Sequence, residues 1–379
     1  MKQEMTLIAT ATFGLEAVVA REVRDLGFTD VQVENARISF KSDAAGLAKA
    51  NLWLRSADRV LVKVGQFPAH SFEELFEKTR SLPWADWLPE NALFPVEGKS
   101  IRSQLYSVSD CQAIVKKAIV ESLKTCYHRQ WFEENGPRYP IEVALLNDMA
   151  TLTIDTSGAG LHKRGYRKLS AAAPLKETLA AALVMLSRWH PERPLIDPYC
   201  GSGTIPIEAA LIGLNIAPGL KRAFAAEKWP QIPRRSWELA RQEARDLTRT
   251  AKLEIRGSDS DAEVLSLARY HARQAGVNDC IHWQQAPVSK LRIRPPYPCV
   301  ICNPPYGERL EDRDTVEQLY REMGPVFKSI ETGSFFVLTA HKGFERLLGR
   351  RADKRRKLYN GRIECTYYQY FGPRGNICE

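Results

Sequence analysis

The sequence feature that most restricts the fold is the segment Asp197-Pro-Tyr-Cys-Gly-Ser-Gly-Thr204. An apolar strand pattern ends at its first residues, and a helical pattern follows it as far as Leu211. A Gly-x-Gly turn between a buried strand and a helix lets the backbone approach a ligand, and the helix N-terminus stabilises a carboxylate or phosphate. The segment therefore predicts a nucleotide-type pocket, with a purely structural turn as the alternative interpretation.

The chain around this segment alternates strand and helix patterns, as in a doubly wound sheet. The predicted strands are Leu195–Tyr199, Leu253–Asp259, Cys280–Gln285, Val300–Asn303, Ser334–Thr339, Arg356–Tyr359 and Ile363–Phe371, with helices that include Ala262–Ala275 and Val316–Ile330. Asn360-Gly361 is a typical hairpin signal between the last two strands. We therefore predict an α/β domain over residues 174–379, with a Rossmann-like, mostly parallel sheet and an antiparallel last hairpin.

The residues before this domain predict two smaller α+β modules, over 1–67 and 68–160. Strand, helix, two strands, helix and strand follow one another in the first module, which is the order of a ferredoxin-like fold. Asn35-Ala36 and Asn147-Asp148 predict hairpin turns in the two modules. A polar, glycine-containing stretch then predicts a linker over residues 161–173.

Composition excludes several classes of protein. The chain has 379 residues, of which 44% are hydrophobic and 26% charged, so global disorder is excluded. No apolar run approaches the ~20 residues that cross a bilayer, and the first residues lack the form of a signal peptide. The 8 Cys have no regular spacing, which argues against a disulfide framework. We therefore expect a soluble protein of the reducing cytoplasm.

The positive charge is concentrated after residue 165. The first 165 residues hold 20 Lys and Arg against 21 Asp and Glu, and the remainder holds 34 against 24. Residues 342–357 alone carry eight basic and two acidic side chains. This pattern favours a polyanionic partner such as nucleic acid, and a solvated basic face is the alternative.

The Gly-x-Gly segment also indicates which cofactor it binds. A dinucleotide fingerprint needs a third glycine where this chain has Pro206, and a P-loop needs a Gly-Lys-Ser/Thr that is absent. The acid at Asp197 would repel phosphates but suits a cationic end, as in S-adenosylmethionine. Asp259, at the tip of the next strand, is placed to bind ribose hydroxyls, with Asp261 as the alternate or as an ordinary helix cap.

A second motif, Asn303-Pro304-Pro305-Tyr306, follows the fourth strand of the domain. Two prolines cannot continue a ladder, so they fix the asparagine side chain and carbonyl at the strand tip. An exocyclic base amine is a poor nucleophile, because its lone pair is conjugated with the ring. Hydrogen bonds to the Asn303 side-chain oxygen and the Pro304 carbonyl would favour a pyramidal nitrogen, while Tyr306 would stack on the unstacked base.

The order of these motifs resembles the amino-methyltransferases that carry an Asn/Asp-Pro-Pro-Tyr motif. The extension Asn303–Arg309, the stretch Leu161–Arg167 and Pro174–Thr178 narrow the resemblance to the THUMP-domain RNA methyltransferases. Within them the chain is most similar to the bacterial large-subunit (23S) rRNA guanine-N2 methyltransferases. The resemblance implies a THUMP RNA-binding domain over 68–160, and it places Pro174–Thr178 beside the methionine end of the cofactor. In many relatives an Asp at the end of the third strand binds the adenine amino group. This chain has Gln285 there, so Gln285 or a nearby backbone group is expected to make that contact.

Motifs and resemblance together define three sets of candidate residues. The predicted catalytic residues are Asn303, Pro304, Pro305 and Tyr306. The predicted S-adenosylmethionine contacts are Pro174, Lys176, Thr178, Asp197, Tyr199, Cys200, Gly201, Ser202, Gly203, Thr204, Asp259, Ser260, Gln285 and Ala286. The predicted RNA contacts are Lys163, Arg164, Arg167, Arg350, Arg351 and Arg355. No metal is expected, because the sulfonium is already a good leaving group and Cys299-x-x-Cys302 lies inside a predicted buried strand.

The sequence therefore predicts an S-adenosylmethionine-dependent RNA methyltransferase that acts on a base amine, with guanine N2 of 23S rRNA as the target. Adenine-N6 methylation of DNA or RNA is the nearest alternative, because the Asn-Pro-Pro-Tyr motif serves either amine. A tRNA guanine-N2 enzyme and a non-catalytic RNA-binding or ribosome assembly factor are further alternatives. We expect an RNA partner, no membrane partner, and a monomer or weak dimer.

Overall fold

The computed structural model describes residues 4–168, 175–293, 296–307 and 313–373. Its contacts divide the chain into two compact units. The first unit comprises Met1–Ala11, Ala20–Leu161 and Ala223–Glu243, and the second comprises Thr12–Val19, His162–Arg222 and Ala244–Glu379. Each unit is thus assembled from three separate stretches of the chain.

The first unit is built on one continuous sheet of seven strands. Its elements are β1 (Met5–Thr10), α1 (Glu16–Asp25), β2 (Gln32–Glu34), β3 (Arg37–Ser42), α2 (Ala44–Trp53), β4 (Arg59–Pro68), α3 (Phe72–Arg80), β5 (Val96–Ile101), α4 (Val108–Tyr127), β6 (Ile141–Leu146) and β7 (Met149–Asp155). The strand order is β2-β3-β1-β4-β7-β6-β5. The ten-residue strand β4 pairs with both β1 and β7, so the two predicted modules share one sheet.

Local sequence explains the turns and helix starts of this unit. The two predicted hairpin turns are confirmed: Ala36 has φ 59°, and Asn147 and Asp148 have φ 50° and 62°. Such left-handed conformations suit a two-residue turn between twisted strands. Asp43 accepts a hydrogen bond from Gly46 N, and Ser71 accepts one from Glu74 N, so each side chain caps the helix that follows it.

The second unit contains the strands and helices predicted for the α/β domain. Its elements are α5 (Glu177–Ser187), β8 (Leu195–Asp197), α6 (Thr204–Gly213), β9 (Ile255–Asp259), α8 (Ala262–Ala275), β10 (Ile281–Gln285), β11 (Cys299–Cys302), α9 (Arg313–Lys328), β12 (Ser334–Thr339), α10 (Phe344–Leu348), β13 (Lys354–Asn360) and β14 (Ile363–Tyr370). Helix α7 (Arg234–Asp246), which the sequence analysis did not predict, lies mainly in the first unit.

The strand order of the second sheet is β10-β9-β8-β11-β12-β14-β13. Strands β8 to β12 are parallel, whereas β14 is antiparallel to both β12 and β13. The predicted mostly parallel sheet with an antiparallel last hairpin is therefore confirmed. The hairpin turn lies one residue later than predicted, because Asn360 pairs with Ile363 and the turn residues are Gly361 and Arg362.

Two hydrophobic cores of buried residues stabilise this sheet. Strand β11 is buried along its whole length, and Cys299 and Cys302 are free thiols inside it. Within the described residues no group of three or more His, Cys, Asp and Glu is arranged to hold a metal ion. None of the helices in the described ranges has the length and apolar character to span a membrane.

Part of the predicted linker is packed into the second unit. The Tyr166 hydroxyl donates to Glu208 Oε1 over 3.1 Å, and Arg164 Nη2 lies 3.5 Å from Glu208 Oε2. Arg164 is 3% exposed and Glu208 is fully buried. Residues 162–168 therefore form an integral segment of this unit rather than a free connection.

Candidate active site

The carboxyl ends of β8, β9 and β11 border a single cleft of about 920 Å³ in the second unit. Ten of the predicted site residues line it: Lys176, Tyr199, Gly201, Asp259, Ser260, Ala286, Asn303, Pro304, Pro305 and Tyr306. In parallel sheets, ligands bind at the carboxyl ends of the strands where the strand order reverses. Here the order reverses between β8 and β11, which are neighbours in this sheet.

The two positions of the Gly-x-Gly turn require glycine for different structural reasons. Gly201 has φ 51°, and a Cβ added there would meet no atom within 4 Å. Gly203 has φ 86°, and its added Cβ would lie 2.8 Å from the Trp283 ring and 3.1 Å from Ala268. Gly201 therefore leaves backbone open to the cleft, whereas Gly203 permits close packing of α6 against β10 and α8.

Asp259 joins the first two loops of the site. Its Oδ2 accepts a hydrogen bond from Gly201 N over 3.0 Å, and its Oδ1 accepts one from Asp261 N over 3.1 Å. Asp261 caps α8, accepting bonds from Glu263 N and Val264 N. The two acids are thus separated by position: Asp259 lines the cleft and Asp261 begins the helix.

Asp197 lies beneath the turn and does not line the cleft. It is 1% exposed, and its Oδ1 accepts a hydrogen bond from Tyr199 N. Burial raises the pKa of the Asp197 carboxyl well above its ordinary value, and the nearby Asp259 raises it further. Asp197 therefore supports the turn through its hydrogen bond with Tyr199 N.

Several other predicted cofactor contacts also lie behind the cleft wall. Cys200 and Thr178 are buried, and burial raises the pKa of the Cys200 thiol well above its usual range. Gln285, in contrast, is exposed outside the cleft lining, and its Nε2 donates to Ser260 O. The Ser202 carbonyl lies 3.2 Å from His271 Nδ1. Thr204, like these residues, supports the loops instead of facing the cleft, and Pro174 lies outside the described residues.

The loop after β11 is fixed by a contact that the sequence analysis did not predict. The hydroxyl of Tyr320, on α9, donates to Pro305 O over 2.6 Å and lies 2.8 Å from Thr339 Oγ1. Tyr320 is fully buried. The α9 side chain of Tyr320 therefore links the Pro305 carbonyl to the end of β12 and holds the loop that carries Asn303 and Pro304.

Tyr306 is turned inward in this structure. It packs against the core, and its hydroxyl donates to Asn303 Oδ1. Burial raises the pKa of the Tyr306 phenol, and its interaction with the Asn360 side chain lowers the pKa by a smaller amount. The phenol is therefore neutral, and it occupies the oxygen of Asn303 that the sequence analysis assigned to the target amine.

The predicted RNA contacts fall into three groups. Lys163 is exposed. Arg164 is buried against Glu208, and Arg167 bonds Thr204 Oγ1 and Leu175 O and pairs with Glu177 over 3.3 Å. These two guanidinium groups are therefore engaged with protein partners.

The remaining three arginines, Arg350, Arg351 and Arg355, are exposed but distant from the cleft. Arg355 pairs with Tyr368 in the sheet, whereas Asn360 at the other end of β13 lines the cleft. At about 3.3 Å per residue, roughly 17 Å of strand separates the two positions.

Almost half of the cleft lining consists of residues that were not predicted from the sequence. The missed residues are Pro198, Pro287, Val288, Gly307, Leu319, Glu322, Asn360, Gly361 and Ile363. Pro198, Pro287 and Gly307 adjoin the motifs, so adjacency was a usable signal for them. Leu319 and Glu322 lie on α9, and the last three lie at the hairpin tip, where no sequence signal beyond the turn itself was present.

Comparison with protein families identifies all three parts of the chain. Residues 164–369 match the RMKL-like methyltransferase domain, residues 6–61 match the RlmL ferredoxin-like domain, and residues 69–155 match the THUMP domain. The chain is 50% identical over 372 residues to YpsC of Bacillus subtilis (strain 168), whose name provisionally assigns it RNA methyltransferase activity. That alignment covers 97% of this chain and 96% of YpsC.

Solved structures resemble the whole chain. A protein from Listeria monocytogenes, named as a predicted N6-adenine-specific DNA methylase, is 54% identical, with a TM-score of 0.94 and coverage of 98% of this chain and 97% of that one. SMU.472, named as a methyltransferase and solved with S-adenosylhomocysteine, is 46% identical with a TM-score of 0.93. The match to SMU.472 covers 99% of this chain and 100% of that one.

Proposed function

The chain belongs to the RMKL-like methyltransferase family, and we propose that it transfers a methyl group from S-adenosylmethionine to guanine N2 of 23S rRNA. One observation carries the proposal: Gly201 and Asp259 line the same cleft as Asn303 and Pro304. A cofactor-type turn and an amine-binding loop are both needed for amine methylation, and here a single cavity holds them.

The residues of the cleft fit S-adenosylmethionine. Gly201 offers open backbone, and the Asp259 carboxylate lies beside it to accept hydrogen bonds from ribose hydroxyls. Ala286 lies beside Asp259 and is placed to contact the adenine ring. When bound, the cofactor supplies a methyl group on a positively charged sulfonium. The complex of SMU.472 with S-adenosylhomocysteine supports this assignment.

The Asn303 and Pro304 oxygens orient the attacking amine. Each accepts one N–H hydrogen bond, which directs the nitrogen lone pair out of the base plane and towards the methyl group. The Tyr306 hydroxyl must first leave Asn303 Oδ1, and its ring is then free to stack on the unstacked base. After transfer the amine loses one proton to solvent.

An RNA substrate is supported by the THUMP match and by the name of YpsC. The match of residues 6–61 to the RlmL ferredoxin-like domain and the resemblance of the motifs favour a guanine of large-subunit rRNA. The name of the Listeria chain favours a second candidate, adenine N6. Both reactions use a conjugated amine, so the same Asn303 and Pro304 oxygens serve either base.

Methyl transfer from radiolabelled S-adenosylmethionine to unmodified 23S rRNA, tRNA and DNA tests the proposal. Each product is digested to nucleosides and separated by chromatography, with the Asn303→Ala protein as the control for contaminating enzymes. We expect label in N2-methylguanosine from 23S rRNA. Label in N6-methyladenine would reject the guanine target, and N2-methylguanosine from tRNA alone would reject the rRNA target.

A further inference from the structure

The tip of the β13–β14 hairpin is the part of the cleft to which neither motif assigns a role. Asn360, Gly361 and Ile363 line the cleft there. In the sheet order, β11 stands between β9-β8 on one side and β12-β14-β13 on the other. Two strand spacings of about 4.8 Å therefore separate β11 from β9, and three separate β11 from β13.

This order separates the two halves of the cleft by function. Methyl transfer requires the donor and the acceptor on opposite sides of the reacting carbon. On the proposed function, the cofactor lies towards Gly201 and Asp259, at the tips of β8 and β9. The acceptor nucleotide must then lie beyond Asn303, towards the hairpin tip. A cleft of about 920 Å³ is near the upper end for small-molecule sites and leaves room for a nucleoside beside the cofactor.

Two asparagine side chains meet one phenol in this second half. The Tyr306 hydroxyl donates to Asn303 Oδ1, and the Asn360 side chain interacts with the same phenol. The phenol is a flat ring whose polar edge bonds one carboxamide and lies near a second. Suppose that a base amine replaces the Tyr306 hydroxyl at Asn303 Oδ1. The atoms next to that amine, on the same edge of the base, then face Asn360.

The chemistry of Asn360 matches that neighbouring edge in guanine. A carboxamide offers one acceptor oxygen and two N–H donors. Next to its N2 amine, guanine presents the N1–H donor and then the O6 acceptor. A carboxamide complements this pair with two parallel hydrogen bonds, so Asn360 can bind the base without touching the reacting amine.

Arg362 lies at the same hairpin tip and supplies a positive charge there. It is the second residue of the turn, it is exposed, and within the described ranges its guanidinium has no protein partner. Lys357, three residues before Asn360 on β13, pairs with Glu364 and is therefore already engaged. Gly361, with φ 63°, makes the turn tight enough to keep Asn360 and Arg362 together.

We propose that the hairpin tip holds the acceptor nucleotide, with Asn360 reading the edge of the base beside the amine and Arg362 binding a flanking phosphate. The proposal rests on the proposed function and names a second asparagine for the same site. Ile363, which pairs with Asn360 and lines the cleft, supplies the apolar contact next to the base.

The first test uses the full-length protein and the RNA that the wild-type protein methylates. We expect Asn360→Ala to bind S-adenosylmethionine within twofold of wild type and to lower the single-turnover methylation rate at least tenfold. Glu364→Ala, on the same hairpin but outside the cleft, is the matched control and should retain the wild-type rate. A wild-type rate in Asn360→Ala would overturn the proposal, as would a loss of cofactor binding.

A second measurement separates base reading from a structural effect. Replacing the target guanine by 2-aminopurine keeps the N2 amine but removes O6 and the N1 proton. If Asn360 reads that edge, the substitution slows the wild-type protein and has little further effect on Asn360→Ala. Independent, multiplying losses would overturn the assignment. Absence of any methylated RNA with the wild-type protein would instead reject the proposed function.

The phosphate contact has its own readout. Arg362→Ala should weaken RNA binding about fivefold and lower the slope of log affinity against log salt by about one. Arg273→Ala removes the same charge from the last turn of α8, at the other edge of the sheet, and serves as the control. An unchanged salt slope in Arg362→Ala would reject its contact with a phosphate.

Discussion

The two edges of the second sheet differ in charge and in chemistry. The carboxyl edge carries the cleft, whose charged lining within the described residues is limited to Lys176, Asp259 and Glu322. The amino edge carries the exposed basic cluster of Arg350, Arg351 and Arg355. A run of like charges in a sequence shows that some surface is basic, whereas strand direction determines which edge that surface occupies. We therefore expect substitutions at the oxygens that orient the amine, on the carboxyl edge, to change the chemistry, and substitutions in the amino-edge cluster to change only affinity.

The largest effect is expected from Asn303→Ala at the carboxyl edge. Removing the oxygen that orients the amine should lower kcat a hundredfold or more, roughly 3 kcal/mol of barrier. Cofactor binding should be unchanged, because Asn303 lies outside the Gly201–Asp259 contact. Single-turnover kinetics and calorimetric titration of S-adenosylmethionine measure the two quantities. Wild-type turnover in this variant would remove Asn303 from the mechanism.

Gly203→Ala should act on stability instead of chemistry, although Gly203 belongs to a carboxyl-edge motif. Its added methyl group would meet the Trp283 ring at 2.8 Å from a left-handed backbone. We expect the free energy of unfolding to fall by about 2 kcal/mol, measured by urea denaturation. Gly201→Ala, which meets no atom, is the matched control and should cost about 1 kcal/mol. Equal losses in the two variants would contradict the packing explanation.

A paired tyrosine substitution compares the edges directly. Tyr320→Phe removes the hydroxyl that holds Pro305 O, and we expect kcat to fall about tenfold, or 1.4 kcal/mol, with an unchanged KM. Tyr370→Phe removes a longer hydroxyl contact to Arg350 O, 3.4 Å long and at the amino edge, and should leave kcat unchanged. If both variants lost the same activity, the effect would be general destabilisation and not positioning of the loop.

The smallest effect is expected at the amino edge. Arg351→Ala should weaken RNA binding by no more than about threefold and lower the salt slope by at most one, with kcat unchanged. Filter binding over a range of salt concentrations and saturating-substrate kinetics test both parts. A large fall in kcat would show that this edge takes part in catalysis, against the distinction between the edges.

The strand ends that form the site could be predicted because a strand pattern and the motif that follows it are contiguous in the sequence. The confirmed parallel sheet, the Gly201 turn and the loop at Asn303 all follow from that local information. Burial is not local, so the sequence could not show that Arg164 and Arg167 face inward to Glu208 and Glu177. Tyr320 and Asn360 were missed for the same reason: they come from other elements and reach the site only through the sheet order.

The short stretch Thr12–Val19 belongs to the second unit, although the rest of that unit begins at His162. Leu15 and Val18 lie in its core, and Gly14 O accepts a hydrogen bond from Arg356, 342 positions later in the chain. At the usual 5–20 residues per second, roughly 20–70 s of translation separate these partners. The unit therefore closes only after the residues around Arg356 have been synthesised, and until then the segment Thr12–Val19 lacks the later residues that it packs against.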